Sequence, residues 1–356
     1  MKRTKIFVLL LAVVMVAAGL VSCDMGVQTK TIGVCLPKRD IDRWLLDGDH
    51  IKTQLENKGF QVILEYAEDD PTKQLTQIES MIDQKCQAIL IAGADCYGLN
   101  DVLEKASKKK IKIIAYDRLI MDTPYVDYYV TFDNFEIGAE QGKYIIDTFD
   151  LDKGGVVAME LFSGALDDSC SYENYGGQMS VLQMYIDNGS IIIPSSQVSL
   201  QDTGIVDWST ENAHARMAGL LNDFYSGAAA PDVILSTNDS MALGIIKALK
   251  EAGYGSADKP FPLLTGMDCD IDNVIAILKG EQSMSMFIDT RALASRGVEL
   301  VEDILMNRQP MINDTERYNN GVIIVPASIC KSYFVDKDNY YDILIKSGYY
   351  KEEVFR

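Results

Sequence analysis

The chain has 356 residues, 47% of them hydrophobic and 24% charged, enough to build a sizeable core without disulfide support. Its 33 basic and 52 acidic residues give a formal charge of −19, which argues against a nucleic-acid partner. The two histidines, His50 and His214, are too few and too far apart for a zinc site or a catalytic triad.

The N-terminus reads Met-Lys-Arg-Thr-Lys, then an apolar run from Ile6 to Val21, then Ser22-Cys23. A basic start, a short apolar stretch and small residues before a cut describe an export signal over 1–22. The run is short for a membrane span. Leu20-Val21-Ser22-Cys23 resembles the bacterial lipobox, which implies cleavage before Cys23, lipid on that thiol and a tether over 23–30. The folded part is then exported and anchored to the cell membrane through lipid. Removing Lys2, Arg3 and Lys5 leaves 30 basic against 52 acidic residues, a formal charge of −22.

Beyond the tether, apolar runs alternate with helix-length amphipathic segments. Strands are predicted over 31–37, 60–66, 88–92, 112–116 and 128–132, with helices over 47–59, 72–85 and 99–109 between them. A second round comes next: strands over 155–160, within 191–200, and over 232–236, 262–267, 283–288 and 321–325. Its helices are 136–149, 177–188, 213–225, 240–252, 271–279 and 292–306. Continuous apolar strands alternating with helices predict an α/β fold of parallel sheets covered on both faces. So many strands exceed one ordinary sheet, and two lobes are the natural solution.

In an open parallel sheet, ligands lie beyond the carboxyl ends of the strands. The residues there are Arg43-Trp44, Asp117-Arg118, Asn134, Asp167-Asp168, Trp208, Asn238-Asp239 and Asp268. Carboxylate, amide and guanidinium suit vicinal hydroxyls, which both donate and accept. The two tryptophans, read as loop residues in different halves, offer flat apolar faces for a sugar ring. Six further cysteines, Cys35, Cys86, Cys96, Cys170, Cys269 and Cys330, show no CxxC or metal spacing and read as buried free thiols. Asp336-Lys337-Asp338-Asn339 lacks a calcium-loop pattern and reads as a solvated turn. No cofactor or metal is expected.

RWLLDGDHI (43–51), IKIIAYDRLI (111–120), TFDNFEIG (131–138), STND (236–239), TGMDCD (265–270) and GEQSMSMFIDTR (280–291) resemble exported sugar-binding proteins of the type I periplasmic binding family. The likeness is nearest to its multiple-sugar and xylose receptors. It implies two doubly wound lobes joined by three crossings, near Asn134, Phe287 and Asn319. The lobes would be 31–134 with 288–318, and 135–287 with 319–356. It also implies that Arg43, Trp44, Asp117, Arg118, Asn134, Trp208, Asn238 and Asp268 contact a monosaccharide. Asp168 and Cys170 join them at the rim. The chain departs from the family where Ser169-Cys170 replaces an Asn-Asn pair and where Ile288 replaces Lys, so the preferred sugar need not be the relatives' sugar.

The resemblance implies a monomeric receptor that closes on an aldopentose or aldohexose such as xylose, glucose or galactose, and delivers it to an ABC import permease. The alternative is a sensor that presents the sugar to a chemoreceptor or sensor kinase. A glycosidase is disfavoured because adjacent acids in one loop do not flank a glycosidic bond. A repressor would need a basic helix-turn-helix where the signal sequence stands. Substitutions at Asp117 or Arg118 are expected to damage binding and spare the unliganded fold.

Overall fold

The structure is a computed structural model that describes residues 29–39, 42–227 and 229–355. The expected signal sequence over 1–22 and the lipidation site Cys23 lie outside the described residues. Five apolar runs form parallel strands: β1 (Thr31–Leu36), β2 (Gln61–Tyr66), β3 (Ala88–Ile91), β4 (Lys112–Tyr116) and β5 (Tyr128–Phe132), in the spatial order β5-β4-β3-β1-β2. Successive side chains point to opposite faces of a strand. Ile32, Val34 and Leu36 of β1 therefore enter one core and Cys35 enters the other. Both faces are buried, which is why these strands read as unbroken apolar runs rather than alternating ones.

Helices α1 (Asp42–Asn57), α2 (Pro71–Asp83) and α3 (Asn100–Lys108) connect these strands. Ile51 and Leu55 of α1 cover one face, while Ile78 and Ile82 of α2 and Val102 and Leu103 of α3 cover the other. The chain then crosses at Asp133 into α4 (Asn134–Thr148). A second parallel sheet comes after it, with β6 (Val157–Phe162), β7 (Ile191–Ile192), β8 (Val233–Ser236) and β9 (Leu263–Leu264) in the order β7-β6-β8-β9. Its helices are α5 (Ser169–Asp187), the short α6 (Leu200–Thr203), α7 (Thr210–Phe224), α8 (Asp239–Glu251) and α9 (Ile271–Lys279). β10 (Ser285–Ile288) leads back to α10 (Thr290–Leu305), whose Leu293 and Val298 pack in the first core. β11 (Ala327–Cys330) joins the first sheet beside β5, and β12 (Ser332–Val335) pairs antiparallel with β10. This is the expected α/β fold.

Several boundaries differ from the sequence reading. α1 starts at Asp42, not residue 47, so Arg43 and Trp44 lie on a helix rather than in a loop. α5 starts at Ser169, two turns before residue 177. The strand expected within 191–200 is only Ile191–Ile192. The run at 321–325 is no strand: Asn320 Oδ1 accepts the N–H groups of Val322 and Ile323 and folds it into a turn. The strand comes after Pro326, as β11, in the first sheet. Residues 327–330 thus lie beside β5 in the first sheet, while 332–335 pair with β10. Among the described residues no helix is long and apolar enough to cross a membrane.

Candidate ligand-binding cleft

Strand ends and helix starts meet between the two sheets, around a small cleft. All ten ligand-contact candidates line it: Arg43, Trp44, Asp117, Arg118, Asn134, Asp168, Cys170, Trp208, Asn238 and Asp268. Ile288 lines it too. Lys38, Asp207, Ser240 and Met267 were missed. The signal for Lys38, Asp207 and Ser240 was their place beside a strand end or a chosen tryptophan or amide. Met267 carries no chemistry that would single it out. Asp167 is exposed and Asp239 fully buried, and neither lines the cleft.

Many of the polar residues are fixed by two jobs. Asp168 caps α5, accepting the N–H of Cys170 at 2.9 Å, and pairs with Arg118 Nε at 2.8 Å. Asn238 caps α8, accepting the N–H of Met241 at 3.1 Å. Such caps aim helix N-termini at the cleft. Arg118 also donates from Nη1 to the carbonyl of Gly93 at 2.8 Å and is buried. It is therefore part of the fold, contrary to the expectation that its removal would spare the unliganded protein. Burial works against its charge, but Asp168 with Cys96, Asp117 and Cys170 together outweigh that and raise its pKa.

Arg43 donates to Asp117 from Nη2 and to Asp47 from Nε at 3.3 Å. Its guanidinium carbon lies 4.4 Å from the centre of the Trp44 ring, and that of Arg118 lies 5.5 Å away. The indole face is thus already a cation platform, in addition to the stacking surface expected of it. Asp117 sits at φ +65°, a region unfavourable for residues with a Cβ. Its neighbours hold it there. Its N–H donates to Val130, and its carbonyl accepts from Tyr129 (2.6 Å), Thr131 (3.0 Å) and the Cys170 thiol (3.2 Å). Asp207, Trp208, Asp268 and Cys269 also have positive φ, so backbone strain gathers at the cleft.

Two buried polar atoms of the lining have no partner, Trp208 Nε1 and Asp268 Oδ1. Buried donors and acceptors are almost always satisfied, so this pair is prepared for a ligand that can both accept and donate. Burial, with Asp270 adding, pushes Asp268 well above the usual carboxylate range against the pull of Arg43. Charges of both signs line the cleft, Lys38, Arg43 and Arg118 beside Asp117, Asp168, Asp207 and Asp268. Asn134, at the crossing, donates from Nδ2 to the Cys170 sulfur at 3.3 Å. Burial pushes the Cys170 thiol up, so it is an uncharged donor. All six described cysteines are buried and free. Among the described residues no cluster of metal-ligating side chains occurs.

The description of periplasmic binding protein domains matches residues 32–309. A multiple sugar-binding periplasmic protein, SbpA, of Azospirillum brasilense is 43% identical and covers 92% of this chain and 91% of its own. The multiple sugar-binding periplasmic receptor ChvE of Rhizobium radiobacter is 39% identical over 96% of both. An ABC transporter solute-binding protein of Clostridium phytofermentans, solved with bound β-D-glucose, superposes with a TM-score of 0.89. It is 41% identical and covers 92% of this chain and all of its own. The fold, the cleft at the crossings and these likenesses agree: the chain belongs to the periplasmic binding protein domain family, whose members are solute-binding proteins.

Proposed function

We propose that the chain is an extracytoplasmic receptor for a monosaccharide, an aldohexose or aldopentose such as glucose, galactose or xylose. The cleft closes on the sugar as a clamp, and the closed form delivers it to the transmembrane subunits of an ABC permease. The observation that carries this reading is the unpartnered pair, Trp208 Nε1 and Asp268 Oδ1, in a cleft lined by charges of both signs and two indoles. A neutral polyol supplies both a lone pair and a hydroxyl proton at such a pair, and the C–H face of a pyranose fits an indole. Glucose in the C. phytofermentans structure supports the same ligand class. The reading is of a binding protein, not an enzyme. No lining residue combines a nucleophile with a base, since no histidine is present and the cleft thiol, Cys170, is held protonated. Lipid on Cys23 would hold the receptor at the membrane.

The test is a thermal-shift and calorimetric screen of the purified chain against pentoses and hexoses. A sugar at about 100 times its dissociation constant stabilises by roughly 2.7 kcal/mol, raising the midpoint by about 2 °C or more for a protein of this size. Silence across the panel would end the monosaccharide reading.

A further inference from the structure

Beneath the cleft, and outside its lining, lies Asp47, 0% exposed on the second turn of α1. One carboxylate oxygen accepts the hydroxyl of Tyr116 at 2.8 Å and the other accepts Arg43 Nε at 3.3 Å. Tyr116 is itself fully buried at the end of β4. Arg43 reaches Asp117 with its other arm, and its guanidinium carbon lies 4.4 Å from the centre of the Trp44 ring. A guanidinium has five donors in one plane. Fixing Nε from behind and Nη2 from the side leaves its remaining N–H groups to face the ligand space.

We propose that Asp47 is the positioning residue of the binding cleft: its ionised carboxylate clamps Arg43 on the Trp44 face, and its protonation releases Arg43 and weakens sugar binding. The inference rests on the monosaccharide-receptor reading. A small hollow lies beside the cleft and shares Arg43, Asp268 and Ile288 with it, with Tyr349 and Tyr350 also lining it. Without charge on Asp47, Arg43 keeps Asp117 as its one hydrogen-bonded carboxylate partner.

The charged and titratable groups facing Asp47 are few. Arg43 comes from its own helix, Tyr116 and Asp117 from β4 and the residue after it, Tyr66 from the end of β2, and Tyr349 from the C-terminal segment. Burial pushes Asp47 up to about 7, against the opposing effect of Arg43. Tyr66, Tyr116 and Tyr349 are all shifted upward by burial and stay protonated. His50, one turn along α1, is pushed below its ordinary range by burial. Between pH 8 and 6 Asp47 therefore changes charge while Arg43 and the buried tyrosines hold theirs. The sign is unusual for a carboxylate. Because the folded pKa is raised, protonation favours the fold, so acidification from pH 8 to 6 stabilises the unliganded protein at this site while it weakens binding.

The test uses the purified chain and whichever of D-glucose, D-galactose and D-xylose binds the wild type at pH 8. If none binds, the receptor reading itself fails, and that failure is distinct from a failure of the Asp47 clamp. With a ligand in hand, wild-type affinity should fall about ten-fold from pH 8 to pH 6, tracking the ionised fraction of a group titrating near 7. Asp47→Asn should bind at least ten-fold more weakly at pH 8, lose the step near 7, and keep or raise the ligand-free midpoint. Binding within two-fold of wild type, or a weakened variant that keeps the wild-type pH step, would overturn the proposal. A second readout needs no carboxylate variant. Trp208→Phe leaves Trp44 as the only tryptophan, and its emission without sugar should shift through pH 7 as Arg43 leaves the ring. A flat profile there would overturn the proposal equally.

Discussion

Trp44 carries two cations on its ring and forms one wall of the cleft while remaining 3% exposed. Its truncation removes a stacking surface and the platform on which Arg43 and Arg118 rest. Trp44→Ala is expected to weaken sugar binding by about 2–4 kcal/mol, the range of a buried aromatic anchor, read by calorimetry. Arg118 behaves differently, because it is buried and its Nη1 also holds the carbonyl of Gly93, on its own side of the cleft. Leaving a buried carbonyl unpaired costs about 1–3 kcal/mol. Arg118→Ala should therefore lower the ligand-free melting midpoint by a few degrees as well as damage binding, and a midpoint equal to wild type would show the Gly93 contact to be dispensable. These cleft residues were legible in the sequence because each comes after an apolar run, and a parallel sheet delivers such positions to one edge. Asp47 was not legible. It lies four residues past Arg43 inside a charged helix, and only the fold shows that this one acid faces Tyr116 while its neighbour Asp49 is exposed.

α4 and α5 meet through glycine. A Cβ on Gly138 would lie 2.0 Å from the carbonyl oxygen of Asn174, and one on Gly177 would lie 1.9 Å from that of Phe135. The obstacle is backbone in both cases, so neither helix can yield by a side-chain rotation. Gly138→Ala should destabilise by about 1–3 kcal/mol or more, as overpacking does. It should also weaken sugar binding, because Asn134 and Cys170 stand on the first turns of the two helices being pushed apart. Thermal melting and calorimetry on one preparation test both. The same glycines explain a misread boundary. Gly176-Gly177 looks like a helix start because glycine interrupts helices in isolation, yet here it is the contact that lets α4 and α5 approach. The run at 321–325 misled in the opposite way. Its residues favour a strand, and one side chain, that of Asn320, turns them aside. Neither a helix–helix contact nor a local side-chain turn of this kind leaves a trace in apolar periodicity.

The two halves of the molecule are held together at the mouth of the cleft by the N-terminus of α5. Ser169 Oγ accepts the N–H of Leu119 at 2.8 Å, Asp168 pairs with Arg118, and the carbonyl of Asp167 accepts the N–H of Cys96 at 3.3 Å. These contacts join loops after β3 and β4 to the second sheet's first helix and do not involve a ligand. Ser169→Ala would orphan the amide of Leu119 in the closed form, at a cost of about 1–3 kcal/mol, and leave the open form untouched. The expected result is a faster release of sugar, by roughly thirty-fold at the midpoint of that range, with little change in the rate of capture. Stopped-flow tryptophan fluorescence separates the two rates, and an unchanged release rate would place Ser169 outside the closing contact.

The position of β11 has a consequence for how the chain acquires this shape. Ala327 lies opposite Tyr129 in the first sheet, so an edge of that sheet waits for residues about 200 positions downstream. Contacts of such separation are slow to form because a long loop must close first. Until residues 327–330 arrive, β5 keeps an open flank of unpaired backbone groups. A polypeptide threaded through a membrane from its N-terminus would meet the same delay in time, with most of its length emerged before the first sheet could close.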